Sequence, residues 1–207
     1  MTLAITEMIV QSHFVLQPQI FIISPPVIII CTACLSGEYN AVRRCFFVRT
    51  IMYDRTAATD YARRWALGRN PRYYDFTGIG GDCTNFVSQC IYAGAGVMNY
   101  TPDVGWYFRS LYDRAAAWTG VEYLYNFLTT NQSVGPFATE TAESEIQPGD
   151  VIQLGDRYGD FYHSLIVMNT SGRILVSAHT NDALNRPLDT YSYATARYIH
   201  INGVRTD

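Results

Sequence analysis

The sequence predicts an α+β fold in which N-terminal helices pack on an antiparallel β-sheet. In the first half of residues 53–207 apolar side chains recur at helical spacing, whereas from residue 148 onward short apolar runs are separated by turn residues. Helices followed by strands indicate an α+β architecture, because an α/β protein would alternate the two. With 207 residues, the chain can hold one large domain and an extension. We expect the extension over residues 1–52 and the domain over residues 53–207.

Composition excludes several classes of function. The formal net charge of -3 and the pI near 5.8 argue against a nucleic-acid partner. All fifteen basic residues are arginine, which excludes Schiff-base lysine and P-loop chemistry. The five cysteines are an odd number and cannot form a complete disulfide framework. We predict neither a metal ion nor another cofactor.

The extension is apolar and hard to classify. Residues 8–37 contain no Asp, Glu, Lys or Arg, and by length they could contact or span a membrane. Three prolines interrupt the run, and no positive segment of the kind that opens a secretory signal precedes it. A membrane-associated segment, a disordered one and an artefact of the assigned start remain alternatives. We expect residues 1–52 to add no catalytic group and to pack poorly on the domain. The compartment stays open between cell envelope, extracellular medium and cytoplasm.

Two helices are predicted to open the domain. Asp54 is a suitable N-cap for the first, which we expect to end near Leu67 because Gly68 follows. Asp82 is a suitable N-cap for the second. Four apolar residues follow Cys83 by three, four, seven and eight positions, namely Phe86, Val87, Cys90 and Ile91. This is the apolar stripe of a helix that packs on a core.

Cys83 is therefore expected in the first turn of a buried helix. There the unpaired N–H groups and the helix dipole stabilise an anion, which favours a reactive thiolate. The alternative is that Cys83 is only a small buried hydrophobe, which is common for a free cysteine. Cys90 lies two helical turns further on, and we expect it to be part of the core.

Four strands are predicted over residues 151–154, 162–169, 173–180 and 197–202. If residues 170–172 form a three-residue hairpin loop, His163 lies opposite His179 on the same face, and their imidazoles could meet. A two-residue turn would instead pair Ser164 with His179 and put the two histidines on opposite faces.

These residue types suit nucleophilic catalysis by a cysteine. A cysteine nucleophile needs a base, and the base needs a further group that fixes its tautomer. Cys83, His163 and His179 supply these parts in order. Alternative orienting groups are Asn181, Asp182 and Asp82. Two aromatic residues, Tyr73 and Trp106, are candidates for substrate binding, although aromatic side chains in this region also suit core packing.

Four motifs occur in order along the domain. They are GGDCTNF at 80–86, a segment from Trp106 to Trp118, GDVI at 149–152 and AHTND at 178–182. Together they resemble the bacterial putative amidase domain, a family similar to the NlpC/P60 and CHAP papain-like cysteine hydrolases. The resemblance covers about residues 53–207 and implies a papain-like fold.

The resemblance also implies a reaction and roles for residues. It implies a cysteine amidase or peptidase that cleaves amide bonds in bacterial cell-wall peptides. The reaction would pass through a thioester acyl-enzyme. The expected partner is therefore a peptide or a peptidoglycan fragment. Cys83 would be the nucleophile, His163 the general base and acid, and His179 the third polar residue. Tyr74 or Tyr73 would lie near the oxyanion. The alternatives are an acyltransferase or transglutaminase-like enzyme, with Asp182 as the orienting group, and a binding module without catalysis.

Overall fold

The structure is a computed structural model that describes residues 48–207. Its helices are α1 (Arg55–Trp65), α2 (Cys83–Ala95), α3 (Ala116–Thr119) and α4 (Val121–Thr130). Its strands are β1 (Arg49–Ile51), β2 (Gly135–Thr141), β3 (Val151–Gly155), β4 (Phe161–Asn169), β5 (Leu175–Ala178), β6 (Ala183–Pro187) and β7 (Thr195–Thr206). Two short 3-10 turns, Glu143–Glu145 and Leu188–Thr190, complete the described elements.

The seven strands form one antiparallel sheet with the order β1-β7-β3-β4-β5-β6, and β2 also pairs with β7. The predicted α+β class with an antiparallel sheet is therefore confirmed. The four predicted strands correspond to β3, β4, β5 and β7, whereas β1, β2 and β6 were not predicted. All four helices lie between β1 and β2 in the chain, so the helices precede six of the seven strands.

The sheet has a buried core on each face. On one face the helices pack over a large core that includes Phe86, Val87 and Ile166. On the other face a smaller core includes Leu154, Leu165 and residues of the turn after β6. Since side chains alternate between faces along a strand, neighbouring residues of β4 belong to different cores.

Helix α2 is almost completely buried, as its apolar stripe predicts. It ends at Gly96, whose φ of 70° is the left-handed conformation that commonly terminates helices. Gly94 allows close packing on the start of α1, because a Cβ atom there would lie 2.4 Å from the Tyr53 ring. Asp54 caps α1 through its Oδ1, which accepts from the Ala57 N–H at 2.9 Å, so this predicted cap is confirmed.

A buried ion cluster fastens α1 to the sheet. Asp150 is fully buried, and its carboxylate accepts from Nη1 of Arg55 at 2.6 Å and from the Ile201 N–H at 2.9 Å. Nδ1 of His200 lies 2.8 Å from the same carboxylate. A buried charge is tolerated when it is paired and hydrogen-bonded, so this cluster explains Asp150 and His200 as structural residues.

The sheet begins earlier than predicted. Residues 49–51 form the edge strand β1 on the end of β7, so the expectation that residues 1–52 pack poorly does not hold for these three. The rest of that expectation, with the membrane-contact prediction for residues 8–37, lies outside the described residues. Among residues 48–207, no helix has the length and apolar character that crossing a membrane requires.

Candidate active site

Cys83 is the first residue of α2, as predicted. Cys83 is buried, with an exposed fraction of 7% for the whole residue. The side chain of Asp82 occupies the N-cap position without bonding to the helix amides. The first N–H groups of α2 therefore point from the helix end with their partial positive charge uncompensated by a cap. The predicted capping role of Asp82 is wrong in this respect, because its carboxylate is engaged elsewhere.

The Asp82 carboxylate is fully buried and has three hydrogen-bond partners. Its Oδ1 accepts from the Phe76 N–H at 2.9 Å and from Nδ2 of Asn85 at 2.8 Å. Its Oδ2 lies 2.6 Å from Nδ1 of His179. Asp82 thus joins the loop before α2, the first turn of α2 and the end of β5.

His179 is buried with both ring nitrogens engaged. Nε2 donates to the Trp65 carbonyl oxygen at 2.8 Å, and the ring stacks on Phe86 with centroids 4.0 Å apart. Because a carbonyl can only accept, Nε2 carries a hydrogen. The short Nδ1–Asp82 contact then holds one proton, either as an imidazolium–carboxylate pair or as a neutral ring bonded to a protonated acid. In both forms the tautomer and orientation of His179 are fixed.

The predicted pairing of His163 with His179 is wrong. Strand pairing starts at Asn169 opposite Leu175, and an irregularity then shifts it to Val167 opposite Val176 and Ile166 opposite Ser177. Continued toward the strand ends, this register puts Ser164 rather than His163 opposite His179. The physical reason is the extra residue of β4 at the bulge, which moves every later side chain to the other face.

His163 consequently lies on the smaller-core face of the sheet, away from α2. It pairs with Leu154 across β3, and its ring centroid is 6.0 Å from that of Tyr191. Burial, with a smaller contribution from the Arg186 cation, lowers the pKa of His163 to about 4. The structure therefore brings Cys83, Asp82 and His179 to one end of α2 and leaves His163 out of this group.

Arg69 closes the side of the site that faces residues 180–182. Its Nη1 and Nη2 donate to the two carboxylate oxygens of Asp182, each at 2.9 Å, and its Nε lies 3.6 Å from Asp82. Asp182 is thus paired with an arginine rather than with a histidine ring, and Asn181 is exposed. The hydroxyl of Thr180 accepts from the Asp82 N–H at 2.9 Å.

The aromatic candidates divide between core and rim. Trp106 is 0% exposed and donates from Nε1 to the Ser88 hydroxyl at 3.0 Å, so it belongs to the core in this structure, and its role in substrate binding stays a prediction. Tyr73 is half-buried and stacks on Trp118 with centroids 5.7 Å apart. Tyr74 is 41% exposed, and its carbonyl oxygen accepts from Nδ2 of Asn85. Of the three, Tyr74 is the most exposed.

Sequence reasoning missed several polar residues beneath α2. Thr84, Ser164 and Gln153 are fully buried and hydrogen-bonded to one another. A signal was available, because Gln153 and Ser164 stand within otherwise apolar strand segments, where an unpaired polar group is costly. Trp65 and Arg69 offered no such signal, since one acts through its backbone carbonyl and the other lies in a loop.

The second described cysteine has no part in the site. Cys90 is fully buried in the large core, and burial raises the pKa of its thiol well above the ordinary value. This confirms its predicted role in packing. Within residues 48–207, no group of three His, Cys, Asp or Glu side chains is arranged to hold a metal ion.

A family described as "Putative amidase domain" matches residues 52–202 of this chain. The chain belongs to this amidase family. The matched residues include the whole candidate site.

Two proteins of Bacillus subtilis (strain 168) are similar to this amidase-family chain. One is "Uncharacterized protein YhbB", 33% identical over 147 residues, and the other is "Uncharacterized protein YjcM", 28% identical over 154 residues. The alignments cover 68% and 70% of this chain but 45% and 34% of the relatives. The chain thus spans less than half the length of the curated relatives it matches. No solved structure was found to match it.

Proposed function

We propose that this protein is a cysteine-dependent amidase in which Cys83 is the nucleophile. The observation that carries the proposal is the position of Cys83 at the uncapped N-terminus of α2, next to an Asp82–His179 pair 2.6 Å apart. Helix N-termini favour thiolates, and a histidine fixed by a carboxylate is the usual companion of a cysteine nucleophile. Family membership supplies the reaction class.

The first half of the reaction forms a thioester. The Cys83 sulfur attacks the carbonyl carbon of an amide, a C–S bond forms, and the negative charge moves to the carbonyl oxygen. The backbone N–H of Cys83 at the helix end is oriented to stabilise such an oxyanion. The Tyr74 hydroxyl is the proposed second donor, because the residue is exposed and its backbone carbonyl contacts Asn85 of the same turn. Collapse of this intermediate breaks the C–N bond and releases the amine.

His179 is the proposed proton carrier, with Asp82 as its orienting group. Among the histidines of residues 48–207, it is the one that contacts the first turn of α2 and its N-cap residue. The reaction starts from the Cys83 thiolate and the imidazolium form of His179. Nε2 leaves the Trp65 carbonyl and gives its proton to the leaving amine, and the ring, now neutral with Nδ1–H on Asp82, then takes a proton from the water that hydrolyses the thioester. The family resemblance gives this role to His163 instead, and the two assignments predict different inactive variants.

The proposed substrate is a peptide amide of the bacterial cell wall, and the proposed architecture is papain-like. The architecture is supported by a cysteine-bearing helix that packs on an antiparallel sheet. The substrate class rests on the resemblance to cell-wall hydrolases, and the exposed rim around Tyr74 and Asn181 would contact it.

The test is amide hydrolysis by wild type, Cys83→Ala and Cys90→Ala, with a panel of muropeptides and simple peptide amides. We expect Cys83→Ala to lose all measurable turnover with a melting temperature close to that of wild type. Cys90→Ala, the matched control, should keep turnover while losing stability, because a core side chain is truncated. Turnover by Cys83→Ala would refute the proposal. Addition of a primary amine would divert the product to a new amide if the protein is an acyltransferase.

A further inference from the structure

A chain of buried polar side chains leads from the far edge of the large core to the sulfur of Cys83. Its members are Arg197 on β7, Gln153 on β3, Ser164 on β4 and Thr84 on α2. Arg197 is 6% exposed and the other three are fully buried. Polar side chains are costly in a core, so a connected set of four requires an explanation.

Each link is within hydrogen-bond distance. Nε of Arg197 donates to Oε1 of Gln153 at 2.7 Å, and Nε2 of Gln153 donates to Oγ of Ser164 at 3.1 Å. The hydroxyls of Ser164 and Thr84 are 3.0 Å apart. Oγ1 of Thr84 lies 3.8 Å from Sγ of Cys83, which is within range for a hydrogen bond to sulfur.

The direction of the first two bonds follows from Arg197, and it allows the same direction in the next two. Because guanidinium groups only donate, Arg197 fixes the oxygen of Gln153 toward itself and the amide nitrogen toward Ser164. Ser164 therefore accepts from Gln153, and its own hydrogen is free to go to Thr84. If Ser164 donates to Thr84, the hydroxyl hydrogen of Thr84 is left for the Cys83 sulfur. This arrangement, in which every hydrogen runs toward the sulfur, is the one that a thiolate favours, because a thiolate can only accept.

The far end of the chain is positively charged and poorly solvated. The Arg197 guanidinium lies between the rings of Tyr125 and Phe161, at 3.7 Å and 3.9 Å from their centroids. Its counterion is Glu122, whose side chain is 54% exposed and therefore mostly in water. The positive end thus lies in the protein, whereas the compensating negative charge lies at its surface.

We infer that Thr84 and Ser164 are positioning residues whose directed hydrogen bonds stabilise the thiolate form of Cys83. The inference rests on the proposed role of Cys83 as nucleophile, and it adds the groups that keep this nucleophile ionised. A hydrogen bond to a charged acceptor is stronger than one between neutral groups, and neighbouring bonds in a chain strengthen one another. Ser164 acts only through Thr84.

Other charged and titratable groups also surround this end of α2. They are Asp82 before the helix, His179 and Asp182 after β5, and Arg69 and Asp75 in the loop after α1. All of them are unchanged when Thr84 or Ser164 is substituted. A difference between such variants therefore reports the hydroxyl chain.

The experiment measures the rate of Cys83 alkylation by iodoacetamide from pH 5 to pH 10, resolved by peptide mass spectrometry so that other cysteines do not interfere. In Thr84→Val we expect the midpoint of the rate profile to move to higher pH and the rate at pH 7 to fall roughly tenfold. Thr84→Ser keeps the hydroxyl and should restore the wild-type profile. Ser88→Ala removes another fully buried hydroxyl of α2 that lies outside the chain, and it should leave the profile unchanged.

A double substitution tests the connection itself. Ser164→Ala should slow alkylation at pH 7 about twofold. It leaves the hydrogen bond between Thr84 and the Cys83 sulfur in place and removes only the contribution of Ser164 to the strength of that bond. Thr84→Val combined with Ser164→Ala should match Thr84→Val alone. The inference would be overturned if the two substitutions lowered the alkylation rate independently, so that their factors multiplied in the double variant. An unchanged rate profile in Thr84→Val would also overturn it. If Thr84→Val does not fold, Thr84→Ala takes its place in both comparisons.

Failure of the inference can be told apart from failure of the proposed function. Alkylation reports the thiol without any turnover. A shifted alkylation profile in a protein that cleaves no amide would support the role of the Thr84 and Ser164 hydroxyls and contradict the amidase proposal. Turnover that depends on Cys83, with the same alkylation profile in all variants, would support the amidase proposal and contradict the role of the two hydroxyls.

Discussion

Nδ1 of His179 lies 2.6 Å from Oδ2 of Asp82, although the two residues are 97 positions apart in the sequence. The contact is buried, and Oδ1 of the same carboxylate also accepts two further hydrogen bonds. It fixes the end of β5 against the residue that precedes Cys83. The geometry of the candidate site therefore depends on one long-range polar contact.

Asp82→Asn should destabilise the fold strongly. The substitution keeps the shape of the side chain and one acceptor oxygen, but it removes the negative charge and puts an NH2 group in place of the oxygen that faces Nδ1 of His179. Loss of one partner of a buried pair costs about 3 kcal/mol or more in the free energy of unfolding. Asp75→Asn is the matched control, since that carboxylate is 47% exposed and should cost less than about 1 kcal/mol. Urea denaturation measures both, and equal losses would contradict a special role for Asp82.

His179→Ala and His163→Ala should differ in turnover. Because His163 lies on the smaller-core face of the sheet, His163→Ala should change the rate of amide hydrolysis less than about threefold once folded fractions are matched. Loss of a general base typically lowers the rate by about 10²–10⁴-fold. The rate of His179→Ala should therefore fall by at least about a hundredfold. Steady-state kinetics on both variants decides between the two assignments. An inactive but folded His163→Ala protein would favour the role given by the family resemblance.

His163 should also make the stability depend on pH. Its pKa is about 4 in the folded protein, because burial and Arg186 disfavour its charged form, and about 6.5 in the unfolded chain. Between these values the unfolded state binds more protons, so stability is lost as the pH falls from about 6.5 to about 4. The loss from this residue is at most about 3 kcal/mol. Urea denaturation at pH 7 and pH 4.5 should show a smaller decrease in His163→Gln than in wild type, and equal decreases would contradict the assignment.

Local pattern was sufficient to predict the helix that carries Cys83. The apolar spacing from Cys83 to Ile91 placed the start of α2 at the correct residue, and the buried stripe formed as expected. This prediction worked because helix packing depends on periodicity within one segment. The contact of the Asp82 carboxylate with His179 could not be predicted from that segment, since His179 follows a strand that is distant in the sequence.

The register of β4 and β5 could not be predicted from the sequence. Residues 170–172 are compatible with more than one turn, and the structure adds an irregularity between Val167 and Asn169. A shift of one residue in a strand exchanges the two faces, so a small local feature removed His163 from the site. The burial of Trp106 was equally undetermined, because an aromatic residue in a loop-rich segment suits both a core and a binding surface.

The glycine loop before Cys83 should be sensitive to alanine at two of its three positions. Gly80 and Gly81 have φ angles of 86° and 109°, whereas the φ of Gly78 is not positive. A side chain in that region of backbone conformation costs about 1–3 kcal/mol. Gly81→Ala carries an additional cost, because its Cβ would lie 3.2 Å from Oγ1 of Thr180, the atom that accepts from the Asp82 N–H.

The three alanine variants therefore separate backbone strain from displacement of the site. Gly78→Ala has open space around its Cβ and should keep both stability and the rate of Cys83 alkylation. Gly80→Ala also has open space, so it should lose stability while the thiol stays in place. Gly81→Ala should lose stability and also change the alkylation rate, since Thr180 must move and Asp82 moves with it. Identical alkylation rates in Gly80→Ala and Gly81→Ala would mean that the Thr180 contact does not position Cys83.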